Sequence, residues 1–472
     1  MRSHDDELGT LDATAQAQLV RDGEASAREL VDAAIGRIER LDPALNAVAA
    51  TGFEQARQRA TDIDTTTPFA GVPTLLKDLI AYPGLPFTLG SRLFEGQIAP
   101  VGSPYTDALD AGGLIVLGKS TTSEFGLLGT TETLACGATR NPWDPSRSPG
   151  GSSGGAVAAV AAGMVPVAHA SDGGGSIRGP ASFCGLFGFK PSRGRHRATD
   201  QPGETPFTRM ISEHCVSRSV RDSATWLAVT ERTDGEARLP PVGRVREPLD
   251  RRLRIGMYRR TGSDDEPDAD VAGALAETAR LCESLGHEVV ETQAPAYDTE
   301  AAARAYFTHA ALTIDAACEQ IRAYIGPAFD EERLEPYTRR LIQHAKELPP
   351  TASTEAEAAL AAAAAAADRR MGEFDVLLCP TVPFPAFPLG HHGGTEPFEQ
   401  AVAFTETLAG YTAVASIAGW PAMSVPLHIS ARGLPVGSHF AAPVGGEALL
   451  LGLALELERA SPWQQRLPVT MS

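Results

Sequence analysis

Short apolar runs typical of buried strands lie on both sides of a long helical block in this chain. Residues 71–78 and 113–118 form such runs before the block, and residues 374–381 form another after it. Residues 300–372, between them, are rich in helix formers, including an alanine-rich piece at 355–367. One continuous sheet accommodates this order better than three separate domains. The sequence therefore predicts an α/β fold: a single large domain, with a central mixed β-sheet flanked by helices and a helical insertion around 300–372.

The 472 residues divide into segments that we assign to one domain, 1–472. N-terminal helices are predicted at 10–60, followed by a core segment at 68–230 that contains the candidate functional residues described below. A polar, Pro-containing loop occupies 231–250 and precedes the helical region. The last segment, 373–465, is predicted to return to the same sheet.

Two helices are predicted within 10–60. Ser26, with Glu29 three residues later and Leu30 and Ile38 at helical spacing, is typical of a capping box at a helix start. Pro43 is expected to end that helix, because proline has no N–H to donate.

Charge and composition exclude several classes of partner. Lys and Arg number 41 against 59 Asp and Glu, which gives a formal net charge of −18. Such a surface repels phosphate backbones and anionic lipids, so neither a nucleic-acid nor a membrane partner is expected.

The start of the chain lacks the pattern of a signal peptide, and a cytoplasmic location is expected. The six cysteines and eleven histidines are scattered without zinc-site spacing, so no metal is predicted.

Two short motifs match by letter but lack the context that their chemistry needs. Residues 113–120 fit the phosphate-loop pattern with Lys119 as the phosphate ligand, yet the middle four residues are those of a buried strand. Residues 151–155 fit the nucleophile elbow with Ser153 as nucleophile, yet a Pro-containing loop precedes them instead of a strand. A nucleotide-binding protein that uses Lys119 stays an alternative hypothesis.

The segment 148–180 carries the richest chemistry. Glycines occupy 150, 151, 154 and 155, and three more at 173–175 directly precede Ser176. Successive glycines leave backbone N–H groups free to converge on one point, as an oxyanion hole requires. A glycine-rich turn with serines as helix caps explains the same residues, and the residues alone leave both interpretations open.

A set of stretches in fixed order resembles the amidase signature family of serine hydrolases. The resemblance runs from the N-terminal helices nearly to the end of the chain. The matching stretches are 71–78, 141–145, 149–155, 171–178, 183–191, 219–222, 418–426 and 433–437.

The resemblance implies a catalytic triad. Ser176 matches the family's nucleophile, Ser152 its bridging serine after a cis peptide bond, and Lys77 its base. A lysine accepts a proton only when it is neutral, so Lys77 must be buried in a poorly solvated pocket. Its neighbours Leu75 and Leu76 favour such burial.

The resemblance also implies what surrounds the triad, without any cofactor. The oxyanion hole would comprise the N–H groups of Gly173, Gly174, Gly175 and Ser176. The hydrogen-bonding residues that hold the loop would be Ser153, Asp172 and Arg178.

The sequence Asp172-Gly-Gly-Gly-Ser176 resembles one branch of the family, that of 6-aminohexanoate cyclic-dimer hydrolases and of amidases acting on anilides and urethanes. Many family members carry Thr or Ile at the position of Gly173, so its missing side chain is expected to admit a bulkier acyl group. Cys318 is open to two interpretations, a pocket wall as in that branch or a buried helical cysteine.

The resulting prediction is hydrolysis of an amide bond through a Ser-cisSer-Lys triad and an acyl-enzyme. The expected substrate is a small molecule: a bulky or aryl amide, a nylon-type oligomer, a carbamate, or an ester. The alternative within the family is the glutamine-hydrolysing subunit of a tRNA amidotransferase, kept open by Arg322, Arg339 and Arg340. A homodimer is expected at the level of the family.

Overall fold

One mixed β-sheet runs through the computed structural model, which describes residues 4–199 and 205–468. Eleven strands of the described residues form this sheet, and two short strands pair separately. The strands are β1 (Val48–Thr51), β2 (Val72–Lys77), β3 (Leu114–Ser120), β4 (Glu132–Thr133), β5 (Gly137–Ala138), β6 (Val167–Asp172), β7 (Phe187–Lys190), β8 (Ser212–Ser217), β9 (Arg254–Met257), β10 (Glu288–Glu291), β11 (Val376–Pro380), β12 (Ala422–Ile429) and β13 (Pro435–Ala441).

The strand order joins the two halves of the chain in this one sheet. It is β1-β3-β2-β6-β8-β7-β12-β13-β11-β9-β10, with β4 and β5 apart. Strand β2 runs parallel to β3 and β6, and β9 runs parallel to β10 and β11. The pairs from β6 through β8, β7, β12 and β13 to β11 are antiparallel, as is β1 with β3. The prediction of a single mixed α/β sheet is confirmed.

Helices flank the sheet along its length. No helix among the described residues is both long enough and apolar enough to cross a membrane. The α-helices are α1 (His4–Thr10), α2 (Ala13–Asp22), α3 (Ala27–Leu45), α4 (Phe53–Arg59), α5 (Pro104–Ala111), α6 (Gly154–Ala161), α7 (Arg178–Cys184), α8 (Val220–Thr230), α9 (Ala269–Ser284), α10 (Thr299–Ile325), α11 (Pro336–Glu347), α12 (Ala352–Met371), α13 (Phe398–Ala409), α14 (Ala413–Ala418) and α15 (Glu447–Ala460).

The helical insertion is confirmed as α10, α11 and α12. Helix α10 packs against both of the others, and Ile314, Leu334 and Leu341 are buried in the apolar cluster that they share. Strands β9 and β10 precede this block and β11 follows it, yet all three are neighbours in the sheet. The insertion therefore interrupts the chain between neighbouring strands without dividing the sheet.

The N-terminal segment differs from the prediction in two ways. Three helices and the strand β1 lie within 10–60, instead of two helices. The capping box at Ser26 and Glu29 is present, but α3 continues through Pro43 to Leu45. Pro43 lies in the last turn, where it removes a single helical hydrogen bond, and the burial of Leu45 holds that turn in place. The helix ends instead at Asn46, which adopts the left-handed conformation.

Candidate active site

Two neighbouring parallel strands bring the predicted base to the glycine-rich loop. Lys77 is the last residue of β2, and Asp172 is the last residue of β6. The carboxyl ends of parallel strands meet at one edge of a sheet, where open α/β sheets bind ligands. Ser152 and Ser153 reach the same place because they directly precede α6.

The side chain of Lys77 ends among three serine hydroxyls. Its Nζ lies 2.7 Å from Oγ of Ser152, 3.0 Å from Oγ of Ser153 and 3.0 Å from Oγ of Ser171. None of these contacts is a carboxylate, and Lys77 is fully buried. Burial lowers the pKa of Lys77 to about 7, although the charges of Glu213 and Asp172 act in the opposite direction. A neutral amine is therefore well populated at neutral pH, as a base requires.

The loop before α6 is held by close backbone packing. The peptide bond between Gly151 and Ser152 is cis. A Cβ at Gly151 would collide with the backbone of Thr130, so glycine is required for this approach. Ser152 and Ser153 are buried, and the Ser153 hydroxyl also donates to the carbonyl of Ser171 at 3.2 Å. The loop thus presents two hydroxyls to Lys77 in a fixed arrangement.

A buried ion pair closes the loop that contains Ser176. Oδ1 and Oδ2 of Asp172 accept hydrogen bonds from Nη2 and Nε of Arg178 at 2.8 and 2.9 Å. Oδ2 also accepts the backbone N–H of Ile177 at 3.1 Å. Burial acts to raise the pKa of Asp172, but the charge and hydrogen bonds of Arg178 outweigh it and hold that pKa far below its usual value. Asp172 is therefore an anion that ties the two ends of residues 173–177 together.

The glycines before Ser176 are fitted against Thr412. The hydroxyl of Thr412 donates to the carbonyl of Gly174 at 2.6 Å, and the carbonyl of Thr412 accepts from Nη1 of Arg178 at 2.8 Å. Gly175 has a φ of 145°, and a Cβ there would collide with the Thr412 side chain. Ser176 itself is partly exposed.

Ser176 opens into a cavity of about 750 Å³, which Gly151, Gly174 and Gly175 also line. Its apolar walls include five aromatic side chains and three leucines, and the described lining residues include no lysine or arginine. The aromatic and leucine residues are Phe183, Tyr297, Tyr306, Phe307, Phe384, Leu127, Leu128 and Leu408.

Cys318, a candidate for the pocket wall, lies away from this cavity. It is buried in the apolar cluster of the helical insertion and does not occur among the described residues that line the cavity. A buried helical cysteine was one of the two sequence interpretations. The same insertion contains the three arginines that keep the glutamine-hydrolysing alternative open. They form ion pairs with nearby glutamates and are not among the described residues that line the cavity: Arg322, Arg339 and Arg340.

The residues that match the phosphate-loop motif form a buried strand in the structure, not a loop. Residues 114–120 are the buried strand β3, so their backbone N–H groups cannot curl around a phosphate. Nζ of Lys119 lies 3.4 Å from Oδ1 of Asp78 and donates to the carbonyl of Ile80. Lys119 is thus committed to a buried ion pair. The elbow match at Ser153 also lacks a preceding strand, as the sequence indicated.

Sequence reasoning missed three residues near Lys77 and the glycines. Thr412 lies more than two hundred positions beyond Gly174 in the sequence, and nothing local links the two. Ser171 stood inside a matching stretch without a role. Tyr306 borders the glycines from α10, with its hydroxyl 3.1 Å from where a Cβ on Gly174 would lie. Strand alternation could have indicated Ser171, since it points away from the Asp172 side chain.

Comparisons with known proteins find relatives over nearly the whole chain. The amidase family model matches residues 29–451. The 6-aminohexanoate-cyclic-dimer hydrolase of Paenarthrobacter ureafaciens is 34% identical over 478 residues, which cover 97% of this chain and 96% of that protein. A structure of 6-aminohexanoate cyclic dimer hydrolase complexed with substrate aligns with a TM-score of 0.91 at 33% identity, covering 98% of this chain and 100% of that one. A bacterial aryl acylamidase of the amidase signature family aligns with a TM-score of 0.84 at 28% identity, covering 96% and 97% of the two chains.

Proposed function

This chain belongs to the amidase signature family and hydrolyses amides, and from this premise we propose that it does so with Ser176 as nucleophile, Ser152 as bridging serine and Lys77 as base. The observation that carries the proposal is the buried contact of 2.7 Å between Nζ of Lys77 and Oγ of Ser152. A lysine that meets hydroxyls instead of a carboxylate, and whose pKa burial lowers to about 7, is suited to take a proton and return it.

The reaction then proceeds in two stages. Neutral Lys77 takes the Ser152 proton while Ser152 takes the proton of Ser176, whose Oγ attacks the carbonyl carbon of the amide. The N–H groups of residues 173–176 stabilise the negative oxygen of the tetrahedral intermediate. The C–N bond breaks as the proton returns through Ser152 to the leaving amine. Water, deprotonated by the same route, then attacks the acyl carbon; the ester C–O bond breaks, the proton returns through Ser152 to Oγ of Ser176, and the acyl group leaves as a carboxylic acid.

Asp172 and Arg178 have a positioning role in this proposal. Their ion pair fixes both ends of the glycine segment, so the N–H groups need not reorganise when the oxyanion forms. Ser153 and Ser171 accept from Lys77 in its protonated state and keep its amine aimed at Ser152.

We propose a bulky or aryl amide, a nylon-type amide oligomer or a carbamate as the substrate. The cavity of about 750 Å³ is large enough for a drug-sized molecule, and aromatic and leucine side chains dominate its apolar walls. Gly173 is not among the described residues that line the cavity, but a Cβ on it would lie 3.2 Å from Cγ1 of Ile211 and 3.7 Å from the hydroxyl of Tyr306, which does line it. The names of the relatives, a cyclic-dimer hydrolase and an aryl acylamidase, point to the same class.

The two alternative functions have less support. A glutamine-hydrolysing subunit must hold the carboxylate of glutamine, and the described residues that line the cavity include no arginine or lysine. A nucleotide site at Lys119 conflicts with the burial of that side chain beside Asp78. The homodimer and the cytoplasmic location stay predictions of the sequence.

The substrate class is tested with an anilide, a carbamate and an ester that share one bulky acyl group. We expect the wild-type protein to release product from the anilide, because the acyl group packs against the apolar walls of the cavity and the leaving aniline is protonated through Ser152. The measurement is kcat/KM for each compound, with glutamine and a small aliphatic amide for comparison. Hydrolysis of glutamine without hydrolysis of any of the three bulky compounds would overturn the proposed substrate class.

Gly173→Ala is the matched variant for this panel. The φ of Gly173 lies outside the left-handed region, so the backbone admits alanine. Its methyl group would press on Ile211 and would lie 3.7 Å from the hydroxyl of Tyr306, which lines the cavity. We expect kcat/KM for the bulky anilide to fall about tenfold relative to the small amide, the usual effect of one methyl group in an apolar pocket. Gly273→Ala, on the open face of α9 with nothing within 4 Å, is the control and should leave the ratio unchanged.

A further inference from the structure

The hydrogen-bond ladder between β2 and β6 stops just before Lys77. Thr74 pairs with Val167 and Leu75 with Ala168, and no pair is formed farther along these strands. The backbone N–H of Lys77 instead donates to Nδ1 of His169, at 3.3 Å. The imidazole thus takes the place of a strand carbonyl at the point where the Lys77 side chain turns toward the serines.

His169 is in turn held by a buried carboxylate. Its Nε2 lies 3.0 Å from Oε2 of Glu213, which belongs to the next strand, β8. Because Nδ1 accepts from Lys77, the ring proton is on Nε2 and is donated to Glu213. Burial lowers the pKa of His169, which keeps the ring neutral. Burial acts to raise the pKa of Glu213, but the hydrogen bond from His169 and nearby positive charge, including that of Lys77, outweigh burial and lower this pKa, so Glu213 is an anion.

The carboxylates near Lys77 differ in whether a positively charged partner neutralises them. Asp172, at the end of β6, is neutralised by its ion pair with Arg178. Asp78 and Lys119 neutralise each other beside β3. The residues that precede α6 contribute only uncharged hydroxyls.

Glu213 is different, because its hydrogen-bond partner His169 is neutral. Glu213 also borders a cavity whose lining includes His196 and five arginines, Arg193, Arg197, Arg209, Arg232 and Arg238. Among the described residues none of these arginines forms an ion pair with Glu213; Arg209 pairs with Glu357, and Arg232 with Asp234 and Glu236. The charge of Glu213 is the largest charge effect on Lys77.

We propose that His169 and Glu213 are positioning residues for the base: His169 holds the backbone of Lys77 where the ladder ends, and the charge of Glu213 stabilises the proton that Lys77 takes from Ser152. This inference rests on the proposed role of Lys77. It explains why three adjacent strands, β2, β6 and β8, each contribute one buried polar residue to the same chain of hydrogen bonds.

The test is the pH dependence of kcat/KM in Glu213→Gln. Glutamine keeps the size and the acceptor oxygen for His169 and removes only the charge. Without that anion the protonated form of Lys77 is less favoured, so its pKa falls and the acidic limb of the profile moves to lower pH, by about one unit. The rate on the plateau falls as well, because a weaker base transfers the proton less readily.

The chain offers a matched control in a second relay of the same design. Nδ1 of His287 accepts the backbone N–H of Leu253 at 3.1 Å, and its Nε2 lies 3.1 Å from Oε2 of Glu456. Glu456→Gln therefore makes the same chemical change at a place where Lys77 is not involved. Its acidic limb is expected to coincide with that of the wild type.

The two proposals fail in different ways. If Glu213→Gln does not fold, the double variant His169→Asn/Glu213→Leu keeps an acceptor for the Lys77 N–H and buries no charge, and its limb should move in the same direction. If the wild-type profile of kcat/KM has its acidic limb near pH 7 and that limb does not move in the folded variants, the role of Glu213 is overturned while Lys77 stays the proposed base. A wild-type profile with no limb between pH 5 and 8 would overturn Lys77 as the base.

Discussion

Ser176→Ala is expected to abolish amide hydrolysis while the protein stays folded. Without the hydroxyl no acyl-enzyme forms, and the remaining groups can only bind the amide and polarise its carbonyl. For a nucleophile that acts as part of a unit, we expect kcat to fall by about 10⁴-fold or more. Ser176 is partly exposed, so we expect the free energy of unfolding to change by less than about 0.5 kcal/mol. The measurement is kcat on the bulky anilide, beside a thermal melt.

Ser153→Ala is the informative companion to this variant. Ser153 would be the nucleophile if the elbow motif at 151–155 operated, but its hydroxyl is buried between Lys77 and the Ser171 carbonyl. We expect a loss on the order of tenfold there, since one of three hydroxyl contacts to Lys77 disappears. A large loss in Ser153→Ala together with near wild-type rates in Ser176→Ala would reverse the two assignments.

Lys77→Met is expected to be nearly as damaging to the rate, about 10³-fold in kcat, because it removes the base that contacts Ser152 within the described part of the chain. Methionine has a similar length and no charge, so it fits the pocket that encloses the lysine. The measurement is kcat at the pH optimum of the wild type. A variant that keeps more than a tenth of the wild-type rate would contradict the role of Lys77.

The Lys77→Met variant is also expected to be at least as stable to unfolding as the wild type at pH 7. The pKa of Lys77 is lowered from 10.5 to about 7 in the folded protein. Between these values the unfolded chain binds more protons than the folded one, so this lysine makes the wild type more stable as pH rises from 7 toward 10.5. Below pH 7 the burial of its charge opposes folding in full. Methionine removes that cost, and thermal melts at pH 7 and pH 9 should show the pH dependence reduced in the variant.

The sheet could be predicted from the sequence because its strand signals are local, whereas the proposed catalytic residues come only from the resemblance to a family and stay a prediction. Strand β2 and the loop before α6 each lie within one contiguous run, and the capping box at Ser26 needs only four residues. Pro43 was misjudged because its effect depends on how near the helix end it lies and on the burial of Leu45. Local rules do not contain that information.

The cavity could not be predicted, because its wall comes from distant parts of the chain. The nucleophile loop, α10, and the segments around Thr261, Val382 and Thr412 meet only after the sheet is assembled. The same holds for His169 and Glu213, which come together because β6 and β8 pair in antiparallel register. Cys318 is a further example: its position in a predicted helix could not decide whether its side chain lines the cavity or lies in the hydrophobic core.

Trapping the acyl-enzyme tests the central claim most directly. The wild-type protein is mixed with the bulky ester, quenched within the first turnover and digested, and the acylated serine is located by fragmenting the labelled peptide, because Ser152, Ser153 and Ser176 lie in one stretch without Lys or Arg. We predict one acyl group per chain on Ser176, and none in Ser176→Ala. Acylation of Ser152 or Ser153 instead, or turnover of the ester with no acylated serine at any time, would contradict the proposed mechanism.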